Sequence, residues 1–317
     1  MKDNYGREIT YLRLSVTERC NLRCRYCMPD AGIEKKNHAD MLTEDEMIRA
    51  VEAAASLGIN KLRITGGEPL VKKNILSICR RAVAVAGINE VCLTTNGILL
   101  PEFARPLREM GISRLNISLD TLDEEKYARI TRVGTLKETL KGIEAALHAG
   151  FEKTKINAVL IGGFNDDEIP ALAALTLKYP VDVRFIELMP MFGNEEFGHE
   201  AHVPCTAVLD LLPKAVPMAP DGGVAALYRI PGAKGNIGLI SAVSSHFCDS
   251  CNRLRLTADG RLKPCLHSKM EFVIKGLDDE GMKAKIREAI LSKPAYHKTL
   301  SLNERSEDER AMNRIGG

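Results

Sequence analysis

"YLRLSVTERCNLRCRYCMP", residues 11–29, carries two signals in one run. Its first six residues alternate as a half-polar β-strand does. Arg13 and Ser15 share one face; Leu12, Leu14 and Val16 share the other. The strand runs directly into three cysteines, Cys20, Cys24 and Cys27, packed within eight residues.

The alternation recurs along the chain. In "KLRIT" (61–65), Lys61, Arg63 and Thr65 oppose Leu62 and Ile64. In "RLNISLD" (114–120), Asn116, Ser118 and Asp120 oppose Leu115, Ile117 and Leu119. In "KINAVLI" (155–161), Lys155 and Asn157 oppose Ile156 and Ala158. Further β-like runs are "VCLTTN" (91–96) and "VDVRFIEL" (181–188). Helices are expected between them, over 43–57, 72–86, 101–110, 123–131, 136–149 and 166–179. Thr43 with Glu46 three residues on makes a capping-box pattern. Leu136, Leu140, Ile143 and Leu147 lie at helical spacing.

Strand–helix repetition predicts parallel strands with helices outside. A parallel sheet buried on both faces reads apolar throughout. Here one face is polar, so the apolar face must meet the helices and the polar face must line an interior. Closed eight-stranded barrels fill their interior with apolar side chains. The expected fold is therefore α/β, an incomplete (β/α)6-type TIM barrel whose polar lumen holds a charged ligand. The alternative is the exposed sheet face of an α+β protein.

After residue 190 the texture changes. "MPMFGNEEFGHEAHVP" (189–204) is loop-like; short β runs follow at 224–230, 237–242, 253–257 and 261–264, then a helix over 276–291. The expected division is 1–190 for the partial barrel and 191–317 for a smaller C-terminal region. That region carries a second cysteine group, Cys248, Cys251 and Cys265, and ends in Gly316-Gly317.

Bulk properties narrow the function. The formal net charge of +2 is too small to argue for a nucleic-acid or membrane partner, neither of which is expected, so any anion site must come from local clustering. The opening residues are polar and no apolar run approaches a membrane span, so a cytoplasmic location is expected. Nine cysteines read as disulfides would leave one over and imply export. Cys79, Cys92 and Cys205 stand alone and read as small buried hydrophobes.

Each triad has one thiolate too few for a closed four-ligand site. Three thiolates on a four-iron cluster leave one iron open to a small molecule. Zinc with a distant fourth ligand stays open on spacing alone. His246 and His267 flank the second triad; the favoured reading is that neither ligates.

C-x3-C-x2-C with Tyr26 before its third cysteine resembles the signature of the radical S-adenosylmethionine superfamily. "TGGEP" (65–69), "TTNG" (94–97) and "NISLD" (116–120) follow in order. The late C-x2-C-x13-C and the terminal Gly-Gly resemble one family within it, the MoaA-type GTP 3′,8-cyclases of molybdenum cofactor biosynthesis. The resemblance implies two [4Fe-4S] clusters, one on Cys20, Cys24 and Cys27 and one on Cys248, Cys251 and Cys265. It implies S-adenosyl-L-methionine on the first open iron, contacted at Tyr26, Gly67, Ser118 and Met189. It implies GTP against the second, contacted at Arg13, Arg63, Thr94, Lys155, Arg253 and Arg255, with Lys61 and Arg184 joining them. Glu68 is expected to accept from the methionyl ammonium. Gly316 and Gly317 are expected to reach the active site and support catalysis.

The implied reaction is abstraction of the ribose C3′ hydrogen and attack on guanine C8. The implied partners are GTP, an external one-electron reductant and the next enzyme of the molybdopterin pathway; a homodimer is compatible with the sequence. The residue pattern supports the substrate independently, because arginine forks and lysines on one strand face neutralise a triphosphate. The rivals are another radical enzyme with an auxiliary cluster, an iron–sulfur electron carrier and a structural zinc module.

Overall fold

The structure is a computed structural model that describes residues 1–32, 37–297, 300 and 305–316. The side chains of His38 and His199 lie outside that description, as does Gly317.

The first half alternates as expected: β1 (Tyr11–Ser15), α1 (Glu44–Ser56), β2 (Lys61–Thr65), α2 (Ile75–Val83), β3 (Glu90–Thr95), α3 (Leu100–Glu109), β4 (Arg114–Ser118), α4 (Glu124–Thr131), α5 (Leu136–His148), β5 (Lys155–Leu160). The expected helix over 166–179 is divided into α6 (Ile169–Ala173) and α7 (Leu175–Lys178), before β6 (Asp182–Glu187). The second half adds α8 (Ala207–Leu211), β7 (Val216–Pro217), β8 (Ala226–Arg229), β9 (Ile237–Ile240), β10 (Arg253–Leu256), β11 (Arg261–Lys263), β12 (Phe272–Val273) and α9 (Asp279–Leu291). The short elements α8, β7 and β12 had no counterpart in the sequence reading.

Local chemistry sets the helix starts. At α1, Thr43 Oγ1 accepts from the Glu46 N–H (3.2 Å) and the Glu46 carboxylate accepts from the Thr43 N–H (2.8 Å). Asp123 and Asp278 cap α4 and α9, each accepting an N–H at 2.8 Å. Such caps satisfy donors that the first helical turn leaves unpaired.

The twelve strands among the described residues join one sheet, in the order β12-β11-β10-β1-β2-β3-β4-β5-β6-β9-β8-β7. Strands β1 to β6 run parallel in sequence order. The C-terminal half extends this set at both edges: β10 pairs parallel with β1, and β9 pairs parallel with β6. The parallel tract thus has eight strands rather than six. It stays open, since β9 and β10 take different neighbours among the described residues. Antiparallel strands finish each edge.

The two faces divide as the alternation requires. Leu12, Leu14, Leu62, Ile64, Leu115, Ile117, Ile156 and Ala158 are buried in the core under the helices. Burial of each large aliphatic side chain contributes roughly 1.5–3 kcal/mol. The opposite face carries the polar residues and forms the lumen.

Gly142 of α5 shows how tightly the helix layer sits. A Cβ there would overlap the Gly97 carbonyl, in the loop after β3. Ala in place of Gly normally stabilises an exposed helix by about 1 kcal/mol. Here Gly142→Ala is expected to destabilise instead, by roughly 1–3 kcal/mol of overpacking, read from the urea midpoint.

Candidate active site

The first triad lies just beyond the carboxyl end of β1. The Cys24 carbonyl accepts from the N–H groups of Cys27 and Met28, both at 3.0 Å, which turns the loop back on itself. The Arg23 and Arg25 N–H groups donate to Thr131 and Ile130 at the end of α4. Arg132, whose φ is 59°, donates from Nη1 to the carbonyls of Arg23 and Met28, each at 3.0 Å. The three thiols are close enough to raise one another's pKa. Burial is the larger cause, pushing Cys20 up to about 11 and Cys27 up to about 12. Sulfur-directed donors are in place: the Leu22 N–H reaches Cys20 Sγ at 3.3 Å, and Asn96 Nδ2 reaches it at 3.9 Å.

The "TGGEP" loop braces this triad. The Gly67 N–H donates to the Thr17 carbonyl (2.7 Å) and the Glu68 N–H to the Arg19 carbonyl (2.8 Å). A Cβ on Gly67 would overlap the Arg19 carbonyl oxygen. The close approach that the glycines permit here is to the cysteine loop's own backbone. Glu68, 1% exposed, accepts from Leu70 N–H (3.0 Å), Thr95 Oγ1 (2.8 Å) and Asn96 N–H (2.7 Å). A carboxylate has about four acceptor positions, so one stays open on Oε2 for an ammonium. Burial raises the Glu68 pKa to about 7 despite these bonds.

Tyr26 donates from its hydroxyl to Asp120 Oδ2 (2.7 Å), and Asp120 Oδ1 accepts from the Val159 N–H (2.8 Å). Burial lifts Asp120 to about 6. Ser118 sits at the end of β4, in register with Asn157 of β5. Met189 follows β6, and its carbonyl accepts from Met191 N–H and Asn194 Nδ2, both at 2.9 Å.

Below this mouth a band of cations crosses the lumen. Strand register sets Arg255, Arg13 and Arg63 side by side across β10, β1 and β2. Neighbouring strands are only about 4.8 Å apart. Burial first, then the Arg255 charge, holds Arg13 well below the usual guanidinium range. Burial and Arg253 bring Arg255 down to about 10. Arg63 donates through Nε to the Tyr11 hydroxyl and through Nη1 to Thr94 Oγ1 (3.0 Å). Lys61 is paired with Glu90 (2.6 Å), which also takes Arg114 (2.8 Å). Lys155 lies between Asp182 (3.4 Å) and Asp221 (3.2 Å), and Arg184 reaches Asp221 at 3.6 Å.

Tyr11, Glu90, Arg114, Asn157 and Asp221 were not on the sequence reading's site. The same alternation that selected Arg13 also puts Tyr11 on its face, so that signal was available. Nothing local announces Asp221, which arrives from a loop.

The second triad occupies the opposite mouth. Cys248 and Cys251 precede β10, and Cys265 follows β11, its antiparallel partner. Since β10 runs parallel to β1, residues before β10 lie at the amino ends of the barrel strands, while Cys20 lies beyond their carboxyl ends. Lys293, 4% exposed, donates to the carbonyls of Arg253 (2.9 Å) and Pro264 (2.7 Å). Burial raises Cys248 and Cys265; at Cys251 burial is outweighed by Lys293 and Arg253, and its pKa falls. Arg7, paired with Asp3 at 2.6 Å, donates to the Cys248 carbonyl at 2.8 Å. His246 meets the His297 ring edge-on and His267 meets it at a tilt, with ring centroids 4.6 and 4.7 Å apart. His267 Nδ1 lies 3.3 Å from Ser306 Oγ.

The chain's end enters the lumen between the two mouths. The Gly316 carbonyl accepts from Arg13 Nη2 (3.1 Å) and Arg255 Nη1 (2.9 Å). Gly316 has φ 71°, and a Cβ there would overlap Thr65 Oγ1. Gly317 lies outside the described residues.

The residues fit the groups expected of them. Each triad gathers three buried or half-buried thiols, and amide donors point at the first. Among the described residues, no three His, Cys, Asp or Glu side chains are grouped to grip a single metal ion. A four-iron cluster spreads its thiolates more widely and carries no such demand. In the lumen, Nε of Arg114, Arg184 and Arg253 and Oδ1 of Asn116 and Asn157 are buried with no hydrogen-bond partner among the described residues. Buried polar atoms are nearly always paired, so this concentration marks a place for a polar, anionic ligand. No described helix is long and apolar enough to cross a membrane.

An open parallel barrel with a C-x3-C-x2-C triad at its carboxyl mouth defines a radical S-adenosylmethionine enzyme. The radical SAM superfamily profile matches residues 14–176, and the Molybdenum Cofactor Synthesis C profile matches 181–299. The GTP 3′,8-cyclase of Alkaliphilus oremlandii is 46% identical over the whole of both chains. That of Peptoclostridium acidaminophilum is 47% identical over 99% of this chain and 98% of its own. The chain belongs to the GTP 3′,8-cyclase family. The fold alone is shared with Streptococcus suis SuiB bound to S-adenosylmethionine (TM-score 0.60, 14% identity, 91% of this chain and 65% of that one). It is shared likewise with native anSMEcpe with bound AdoMet (TM-score 0.59, 14% identity, 92% and 82%).

Arg255→Ala should weaken GTP binding at least tenfold in equilibrium dialysis while leaving the iron content of the first site unchanged. Unaltered affinity would contradict a lumen site on this strand face. Glu68 gives a pH signature. Its folded pKa, about 7, exceeds the ordinary 4.5, so its contribution to stability is complete below 4.5 and is lost as pH rises through 7. The fall in melting temperature between pH 5 and 8 should therefore be smaller in Glu68→Gln than in the parent.

Proposed function

We infer that the protein is a GTP 3′,8-cyclase, a radical SAM lyase. It converts GTP to 3′,8-cyclo-7,8-dihydro-GTP, the first step of molybdenum cofactor biosynthesis. Its cofactors are two [4Fe-4S] clusters and S-adenosyl-L-methionine. The observation that carries this reading is the arrangement of two thiolate triads at opposite mouths of one cation-lined lumen.

Cys20, Cys24 and Cys27 would hold the first cluster, and Cys248, Cys251 and Cys265 the second. Bound at the first cluster, S-adenosylmethionine supplies a carbon radical able to take a hydrogen atom from ribose.

The chain's own part is binding, orientation and exclusion of water. Tyr26, Gly67, Glu68, Ser118 and Met189 shape the cofactor side; the open acceptor of Glu68 suits an ammonium. Arg13, Lys61, Arg63, Lys155, Arg184, Arg253 and Arg255 offer positive charge to the triphosphate, and Thr94 adds a hydroxyl held by Arg63. Burial strengthens each of these charge contacts. Gly316 brings backbone, without side-chain bulk, into the lumen, and Gly316 and Gly317 are assigned the supporting role in catalysis. Residues 1–190 and 191–317 are the proposed functional division, though both contribute strands to the one sheet. An external one-electron reductant, hand-over to the next molybdopterin enzyme, a cytoplasmic location and a homodimer complete the proposal.

Anaerobic incubation of the reconstituted protein with GTP, S-adenosylmethionine and dithionite is expected to give 5′-deoxyadenosine and the cyclised nucleotide. Cys24→Ser should abolish 5′-deoxyadenosine formation. Normal cleavage in that variant would refute the assignment of the first triad.

A further inference from the structure

We propose that Asp221, in the loop between β7 and β8, is an exchangeable counter-ion: its carboxylate competes with the substrate's triphosphate for Lys155 and Arg184 and changes places with it. Asp221 Oδ2 lies 3.2 Å from Lys155 Nζ and 3.6 Å from Arg184 Nη2. The two cations stand on neighbouring strands, β5 and β6, where register sets Lys155 beside Asp182 and Asn157 beside Arg184. The loop reaches them from the edge of the sheet, across β9. Gly238 of β9 leaves the passage: a Cβ there would lie 3.0 Å from Arg184 Cγ and 3.2 Å from Ala225 Cβ.

The two carboxylates that face Lys155 are held differently. Asp182 Oδ1 accepts from the N–H (2.9 Å) and Nδ2 (3.2 Å) of Asn236, which anchors it at the start of β9. Asp221 Oδ1 accepts from the Gly223 N–H (2.9 Å), inside its own turn. Among the described residues, Asp221 makes the one ion-paired tie between residues 219–224 and the barrel, and no further hydrogen bond fastens them to it. The turn continues through Gly222, at φ 73°, and Gly223, so its backbone can reorient without a side-chain clash. Exposure differs in the same sense. The side chains of Lys155 and Arg184 are 6% and 12% exposed and that of Asp221 is 38% exposed, so the anion can withdraw into water and the cations cannot. Burial would raise the Asp221 pKa, but Lys155 and the Gly223 N–H outweigh it and bring it down, which keeps the competitor charged.

The competition has a chemical use. The cyclised product keeps the phosphates of GTP, so whatever holds the substrate's triphosphate holds the product's as well. A triphosphate carries several charges and also meets Arg13, Arg63 and Arg255, so it wins the exchange against one carboxylate. A tethered carboxylate is nonetheless present at high effective concentration, which lowers the net affinity and lets the product leave. This rests on the reading of the lumen as the GTP site.

The sign of a mutational effect tests it. In the reconstituted protein, Asp221→Asn and Asp221→Ala should bind GTP and inorganic tripolyphosphate roughly threefold to tenfold more tightly than the parent, and guanosine as the parent does. A merely structural role would weaken binding. Asp210→Asn removes an exposed carboxylate of α8 and should leave all three affinities unchanged. In the parent, tripolyphosphate should raise carbodiimide-driven labelling of the Asp221 carboxyl with glycine ethyl ester, read by peptide mass spectrometry. Unchanged or weaker GTP binding in both Asp221 variants, an equal gain in Asp210→Asn, or labelling that does not rise overturns the exchange and leaves the GTP 3′,8-cyclase reading intact. A parent that binds neither tripolyphosphate nor GTP overturns the lumen reading together with it.

Discussion

Three guanidinium groups, on Arg13, Arg63 and Arg255, are set side by side by strand register inside a buried lumen. Left alone, that arrangement is unfavourable, since like charges repel and burial removes their water. Neighbouring groups offset part of the cost: the Tyr11 hydroxyl and Thr94 accept from Arg63, and the Gly316 carbonyl accepts from Arg13 and Arg255. Backbone pairing along β10, β1 and β2 fixes the rest. The remaining positive field suits the lumen to a polyanion, and the open eight-stranded tract gives it the room that a filled, closed barrel would lack.

The two cysteine triads flank this band. One triad lies beyond the carboxyl ends of the strands and the other before the amino ends, with the cations between them. A nucleotide lying along the lumen can present its base at one mouth and its ribose toward the other while its phosphates meet arginine and lysine. The chain's end completes the enclosure from above, at the level of Ser15 and Thr65. Asp221 and Glu90 occupy cations that the triphosphate would take, so carboxylates hold those positions in the structure described.

Much of the fold was legible because the strand period is two and the polar positions kept to one face. Leu12, Leu14, Leu62 and Ile64 went to the helices, and Arg13 and Arg63 to the lumen, as the alternation required. The places where β9 and β10 attach were not legible. Edge pairing depends on register against strands about fifty residues away for β9 and over two hundred for β10, and short apolar runs such as "IGLI" carry no partner label. Gly66 and Gly67 lie close against the backbone of Thr17 to Arg19, which buttresses the cysteine loop, a contact that the motif alone does not name. Glu68 is likewise chiefly a brace, with one acceptor position left for a ligand. Lys293 and Arg132 escaped notice because each acts on carbonyls of the cysteine loops, a role that only the folded backbone creates.

The central claim is that a buried band of positive charge, and not the cysteine sites alone, selects the substrate. Calorimetric titration of the reconstituted protein with GTP and, separately, with guanosine, at low and high salt, tests it most directly. GTP should bind far more tightly than guanosine, with an affinity that falls as salt rises. Equal affinity for the two ligands, unaffected by salt, would contradict it.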